Sequence, residues 1–122
     1  MADKVNLAEK LAGFEEVWVP KVVGELNGQL VKVVKFRGEY VWHHHEGEDE
    51  LFWVIKGRIR MLLRDREITV EEGEFCIVPR GVEHKPVADE LAEVVLFEPD
   101  STLNTGNVRN DLTRTRDELE RI

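Results

Sequence analysis

A chain of 122 residues, 42% of them hydrophobic, is long enough to build one core without help from disulfides. Its formal net charge of −8 lacks the basic footprint of a nucleic-acid binder and is repelled by an anionic membrane surface. No apolar run approaches the roughly 20 residues that span a bilayer, and Cys76, the single cysteine, has no partner for an intrachain disulfide. The opening Met1-Ala2-Asp3-Lys4 has neither the charged start nor the apolar stretch of a signal peptide, so a cytoplasmic protein is expected.

The first dozen residues predict a short helix, with Leu7 and Leu11 four apart and Asn6 or Asp3 as its cap. Val17–Val23 is rich in β-branched residues and predicts a strand, with Pro20 marking an edge or bend. Asn27-Gly28 between two apolar runs is a two-residue hairpin signal, and Leu30–Phe36 is the expected return strand. A strand from Gly38 through His45 follows, then an acidic loop at Glu46–Asp49. Further strands are expected at Glu50–Lys56, Arg58–Arg64, Ile68–Val70, Phe75–Val78, Glu83–Ala88 and Leu91–Glu98. Turns at Asp65-Arg66, Glu72-Gly73, Arg80-Gly81 and Asp89-Glu90 separate them. Eight to ten short strands at such spacing predict an all-β barrel or sandwich over about residues 17–98. The tail, residues 99–122, changes character. Ser101–Asn110 reads as loop, and Thr115-x-x-Glu118 resembles a capping box before one or two helical turns ending at Ile122.

All four histidines fall in two short motifs, Gly38-x4-His43-x-His45-x4-Glu50-x6-Gly57 and Gly73-x5-Pro79-x-Gly81-x2-His84. On a strand, side chains alternate, so His43 and His45 share one face while His44 shares the other with Tyr40 and Trp42. Glu50 opens the next strand, and His84 follows a tight turn that can aim it into the same space. Three imidazoles and one carboxylate suit a divalent first-row transition metal (Fe, Mn, Ni, Cu or Zn) better than calcium or magnesium.

The two motifs resemble those of the cupin superfamily, G-x5-HxH-x3,4-E-x6-G and G-x5-PxG-x2-H-x3-N. Gly38 stands one residue nearer His43 than the family pattern has it, and Ala88 replaces the terminal Asn. The resemblance covers Gly38 to Ala88 closely. It implies a single cupin domain over 1–122, a double-stranded β-helix (jelly-roll) barrel with short helical segments at both ends. It further implies one metal ion held by His43, His45, Glu50 and His84. In size the chain looks most like the small uncharacterised bacterial and archaeal members, which usually pair as homodimers.

Simpler readings stand beside these. His44 is expected as a packing or interface residue, Glu46, Glu48 and Asp49 as a solvated loop, and Cys76 as a buried, inert thiol. By alternation, Val41, Phe52, Val54 and Pro86 share the ligand face and are the substrate-pocket candidates. They are apolar, which points to a small, weakly charged ligand and away from a phosphosugar. Dioxygenase- or isomerase-type chemistry and a non-catalytic small-molecule or accessory module both remain open, and no catalytic acid or base is identifiable. The N-terminal strand around Trp18 and Val19 is the expected dimer contact.

Overall fold

The computed structural model describes residues 3–122. Met1 and Ala2, on which the expectation of no leader partly rests, lie outside them. Helix α1 (Leu7–Ala12) starts where Asn6 Oδ1 accepts the Glu9 backbone N–H at 2.9 Å. It is followed by β1 (Lys21–Leu26), β2 (Gln29–Glu39), β3 (Glu50–Lys56), β4 (Arg58–Leu63), β5 (Glu67–Glu71), β6 (Phe75–Val78), β7 (His84–Pro99) and β8 (Glu120–Arg121). The β1–β2 hairpin turns at Asn27-Gly28 with φ of 50° and 76°, the positive values its two-residue loop demands. The architecture is the all-β jelly-roll barrel expected.

β7 is the spine of the barrel. From Val87 to Pro99 it pairs antiparallel with β2, with Glu39 opposite Val87 and Gln29 opposite Pro99. Its first residues also pair with β4 and residues 93–97 with β3, so the one continuous sheet branches along β7. β5 extends one branch beyond β4, and β6 extends the other beyond β3. The Asp89-Glu90 turn is not present. Between Phe36 opposite Ala92 and Gly38 opposite Ala88 the register shifts, and the extra residues bulge outward while β7 continues.

Alternation gives each strand an inner and an outer row. The inner rows supply a cluster containing Val34, Phe36, Phe52, Val54, Val94 and Leu96, joined by Trp18, Tyr40, Ile59 and Met61. Fully burying each such aliphatic or phenyl side chain contributes about 1.5–3 kcal/mol. A second cluster lies on the outside, where Leu11 of α1 packs on Val33 and Val95 with Phe14 and Ile122 around them.

Three further expectations need correction. Residues 17–20 are not yet strand. Val17 makes one isolated bridge to Lys35, Trp18 takes φ 62°, and regular pairing begins only after Pro20, which has no N–H to donate. Regular strand also stops at Glu39, and beyond it only His43 pairs, with His84. The tail makes a single 3-10 turn, Arg116–Glu118, where Glu118 Oε1 accepts the Thr115 N–H at 2.8 Å. It then joins the sheet as β8, parallel to β1, and does not run as helix to Ile122.

Candidate metal centre

The irregular run after β2 is what brings the histidines inward. His43 and His84 exchange backbone hydrogen bonds, His43 N–H to His84 carbonyl at 3.0 Å and the reverse at 2.9 Å. The His45 carbonyl accepts the Gly81 N–H at 2.8 Å, tying the first motif to the second. Asp49 completes the tie, because its carboxylate accepts both the Arg80 backbone N–H, at 2.9 Å, and the guanidinium. Part of the acidic loop is therefore structural. Arg80 holds the Asp49 carboxyl below its usual range.

His43, His45, Glu50 and His84 are all buried, and each offers a ligand atom within 4.8 Å of the others. Their ring centroids lie 4.2 Å apart for His43 and His84, and 5.1 Å for His43 and His45. The Nδ1 atoms of His43 and His84 each sit 2.8 Å from a backbone carbonyl, of Val41 and Val82 respectively. A ring that donates from Nδ1 carries its free lone pair on Nε2, the state a metal ligand needs.

Buried polar atoms are nearly always satisfied, yet His45 Nε2, His84 Nε2 and Glu50 Oε1 complete no hydrogen bond. They crowd together without one, at 3.1 Å for His45 to Glu50 and 3.5 Å for His84 to Glu50. Three converging orphans with lone pairs fit a cation, and the mixed nitrogen and oxygen set fits a transition metal. Burial, and next the neighbouring His84 ring, lowers the His43 pKa to about 4, so this imidazole is neutral at pH 7. Burial pushes the Glu50 pKa up, but contacts with Glu98, His45 and His84 outweigh it and keep the carboxyl ionised.

A small cavity adjoins the cluster, lined by Trp18, Phe36, Tyr40, His43, Phe52 and Pro86 among others. Its space for water-sized molecules is about 20 Å³, enough for a water or two. Of the residues proposed from sequence, Phe52 and Pro86 line it. Val54 is wholly buried in the core, and Val41 is half-buried with its carbonyl on His43. Tyr40 was expected outside with His44 and Trp42, but it lies inside, edge-on to His43 with centroids 5.5 Å apart. The chain leaves regular strand after Glu39, so strict alternation no longer applies. Burial, then the charges of Glu50 and Glu98, raise the Tyr40 pKa and keep its phenol protonated. His44 stays outside the cluster with its ring beside Glu46, and Trp42 stacks under Arg64 at 3.9 Å.

Several residues at the site were not anticipated. Trp18 stacks on Phe36 and Tyr40, at 4.4 and 4.7 Å, and its indole donates to the Arg37 carbonyl. Asn104 reaches the cavity from the tail, its amide used to hold the tail itself through Leu112 and Arg114. Lys32 and Glu98 form a fully buried ion pair at 2.7 Å next to Glu50. Both stand on inner rows between apolar residues, and the register of β2 with β7 is what brings them together. Burial, then the negative charge of Glu50, raises the Glu98 pKa against the pull of Lys32. Cys76 faces inward opposite Phe52, and burial, then Glu50, pushes its thiol up to about 11. That leaves it protonated and unreactive at neutral pH.

Comparison with known proteins gives three findings. The sequence model of the family described as "Cupin domain" matches residues 31–98. Uncharacterized protein YdbB of Bacillus subtilis (strain 168) is 36% identical over 64 residues, covering 52% of this chain and 57% of that protein. The chain thus spans little more than half the length of that curated relative. Among solved structures, a cupin-2 domain containing protein from Shewanella frigidimarina NCIMB 400 is 41% identical, with a TM-score of 0.77 over 78% of this chain and 93% of its own. Protein NMB1881 from Neisseria meningitidis is 31% identical, with a TM-score of 0.73 over 80% and 99% respectively.

Proposed function

This chain belongs to the cupin family, and on that premise we propose that it is a metal-dependent enzyme acting on a small, weakly charged metabolite. The observation that carries the reading is the convergence of His45 Nε2, His84 Nε2 and Glu50 Oε1, buried and unsatisfied, beside an aromatic cavity. His43, His45, Glu50 and His84 would hold one divalent Fe, Mn, Ni, Cu or Zn. A metal with these four ligands supplies a Lewis-acid centre with coordination positions left for a ligand, the setting of isomerase- or dioxygenase-type chemistry.

The protein's own contribution follows from the lining. Trp18, Phe36, Phe52 and Pro86 exclude water and offer apolar contact. Tyr40 presents a protonated phenol that can donate one hydrogen bond to a ligand oxygen. No Lys or Arg lines the cavity, which disfavours phosphorylated substrates. The small size of the cavity favours a second reading, a non-catalytic module that holds the metal with water or a very small ligand. Metal analysis of protein from its native host, followed by oxygen-uptake and isomerisation assays on a metabolite panel, separates the two. Turnover that disappears with the metal supports the enzyme. Stoichiometric metal with ligand binding and no turnover across the panel supports the module.

We also propose a homodimer. Trp18 is committed to its own barrel, so the contact passes to the outer face of the β6–β3–β7 sheet. There Val31, Leu51, Trp53, Phe75, Val95 and Phe97 line an apolar groove. Trp53, Phe75 and Ile77 remain 41%, 58% and 55% exposed, too much contiguous large apolar surface for a monomer to leave in water. The same face on a second copy gives a self-complementary contact.

A further inference from the structure

On the inner rows of β2 and β7, one pair of charged residues interrupts an apolar run. On β2 the inner row reads Leu30, Lys32, Val34, Phe36, and on β7 it reads Val94, Leu96, Glu98. Lys32 and Glu98 are 1% exposed, joined at 2.7 Å, and Glu98 Oε2 has no donor of its own. Taking two charges out of water costs several kcal/mol each, and a hydrophobic pair of similar volume is often no less stable. Val34 and Leu96 show that this layer accepts such residues. Core packing therefore does not account for the pair.

What distinguishes its position is Glu50: Leu51 pairs with Phe97 in the β3–β7 ladder, so one residue further Glu50 stands opposite Glu98. Glu50 reaches the cluster from the first residue of β3, and its Oε1 is held by no hydrogen bond. Without a neighbour of fixed position, a carboxylate there can turn away from the imidazoles. Lys32 fixes Glu98 at 2.7 Å, and Glu98 stands opposite Glu50 across the β3–β7 ladder. The pair also balances charge, since Lys32 offsets the carboxylate that Glu98 would otherwise add beside Glu50. We propose that Lys32 and Glu98 are positioning residues for Glu50, a buried arm behind the cluster that keeps its carboxylate aimed at the metal. The proposal rests on the metal-centre reading above. Outer partners of metal ligands generally change affinity by about 10–100-fold when removed.

The test uses Co(II) as probe, in competition with a chromophoric chelator, with the visible d–d spectrum of the bound ion read alongside. The double variant Lys32→Met/Glu98→Leu removes one positive and one negative charge, so net charge at the site is unchanged and no orphan is left. It should stay folded as metal-free protein, bind Co(II) about 10–100-fold more weakly than wild type, and show an altered spectrum. If that variant does not fold, Lys32→Met/Glu98→Gln carries the same expectation, because it keeps the shape of the Glu98 side chain but removes the ammonium that fixes it, again without a change in net charge. A folded variant that binds within twofold of wild type with a superimposable spectrum overturns the proposal. Wild type that fails to bind Co(II) overturns the metal-centre reading itself, and the proposal with it.

Discussion

At the scale of single residues, the four residues of the buried cluster differ sharply from His44. Replacing His84 by Ala removes a proposed ligand whose Nδ1 is already fixed on Val82. Metal affinity should fall by at least about 100-fold, more than for an outer-partner change. His44→Ala, outside the cluster, should leave it within about twofold; chelator competition reads both. A large loss for His44→Ala and none for His84→Ala would mean that the ligand set is wrong. Metal-free protein should show its own pH dependence through His43. This base titrates near 6.5 when unfolded and at about 4 when folded. As pH falls below 6.5 the unfolded chain takes the proton first, so stability that is complete above 6.5 is lost progressively toward pH 4. The loss amounts to about 3 kcal/mol for this residue. Urea denaturation of the chelated protein at pH 7 and pH 4.5 checks it, and His43→Asn should flatten that dependence.

At the scale of elements, the tail acts on the site through a backbone contact. Gly106 has φ +57°, and a Cβ placed there would lie 2.2 Å from the His44 carbonyl oxygen. Asn107 closes the contact, with its Oδ1 accepting the His44 N–H and its own N–H donating to the His44 carbonyl. Gly106→Ala should therefore lift the segment around it from the barrel. Hydrogen exchange should speed up over residues 101–114 while the β2 and β7 amides stay protected. Unchanged exchange in the tail would contradict the close packing. The strands were largely legible in sequence, because apolar runs and turn residues mark them directly. What was not legible is where pairing partners run out. Tyr40–His45 alternates as a strand does, but regular pairing stops at Glu39, so Tyr40 turns inward against expectation. Asp89-Glu90 has the composition of a turn, and only the continuous pairing of β7 with β2 shows a bulge. The capping geometry at Thr115 is real, but the edge of β1 offers the next residues a sheet partner and the helix does not propagate. The cluster of His43, His45, Glu50 and His84 was legible because the two motifs fix its spacing. Lys32 and Glu98 needed the register of two strands far apart in sequence.

At the scale of the whole molecule, the metal and the outer face give separate expectations. Metal that binds only the folded barrel, at 100 times its Kd, adds about 2.7 kcal/mol. For a domain of this size the melting temperature should rise by on the order of 10 °C. Calorimetry before and after chelation measures it, and an unchanged transition with metal loss verified would count against a site coupled to folding. The apolar face predicts a light-scattering mass near twice the 14.1 kDa of the chain. Phe75→Glu, at an exposed position, should return that mass to the monomer without unfolding the barrel. A wild-type mass of one chain at micromolar concentration would remove the dimer.

The pairing of β2 with β7 also governs how quickly the protein can form. Leu30 meets Glu98 and Glu39 meets Val87, so the spine of the barrel joins opposite ends of the sequence, with β3 to β6 lying between. The entropy of closing that long loop must be lost before the contacts that compensate it exist. The β1–β2 and β4–β5 hairpins can close locally, and α1 is only six residues, but none of them brings β7 to β2. Refolding from denaturant should therefore take milliseconds to seconds, the range of non-local β topologies, and not the microseconds of helical bundles. During that interval the apolar outer rows of β3 and β6 are unpaired, and this is when the chain is most exposed to aggregation.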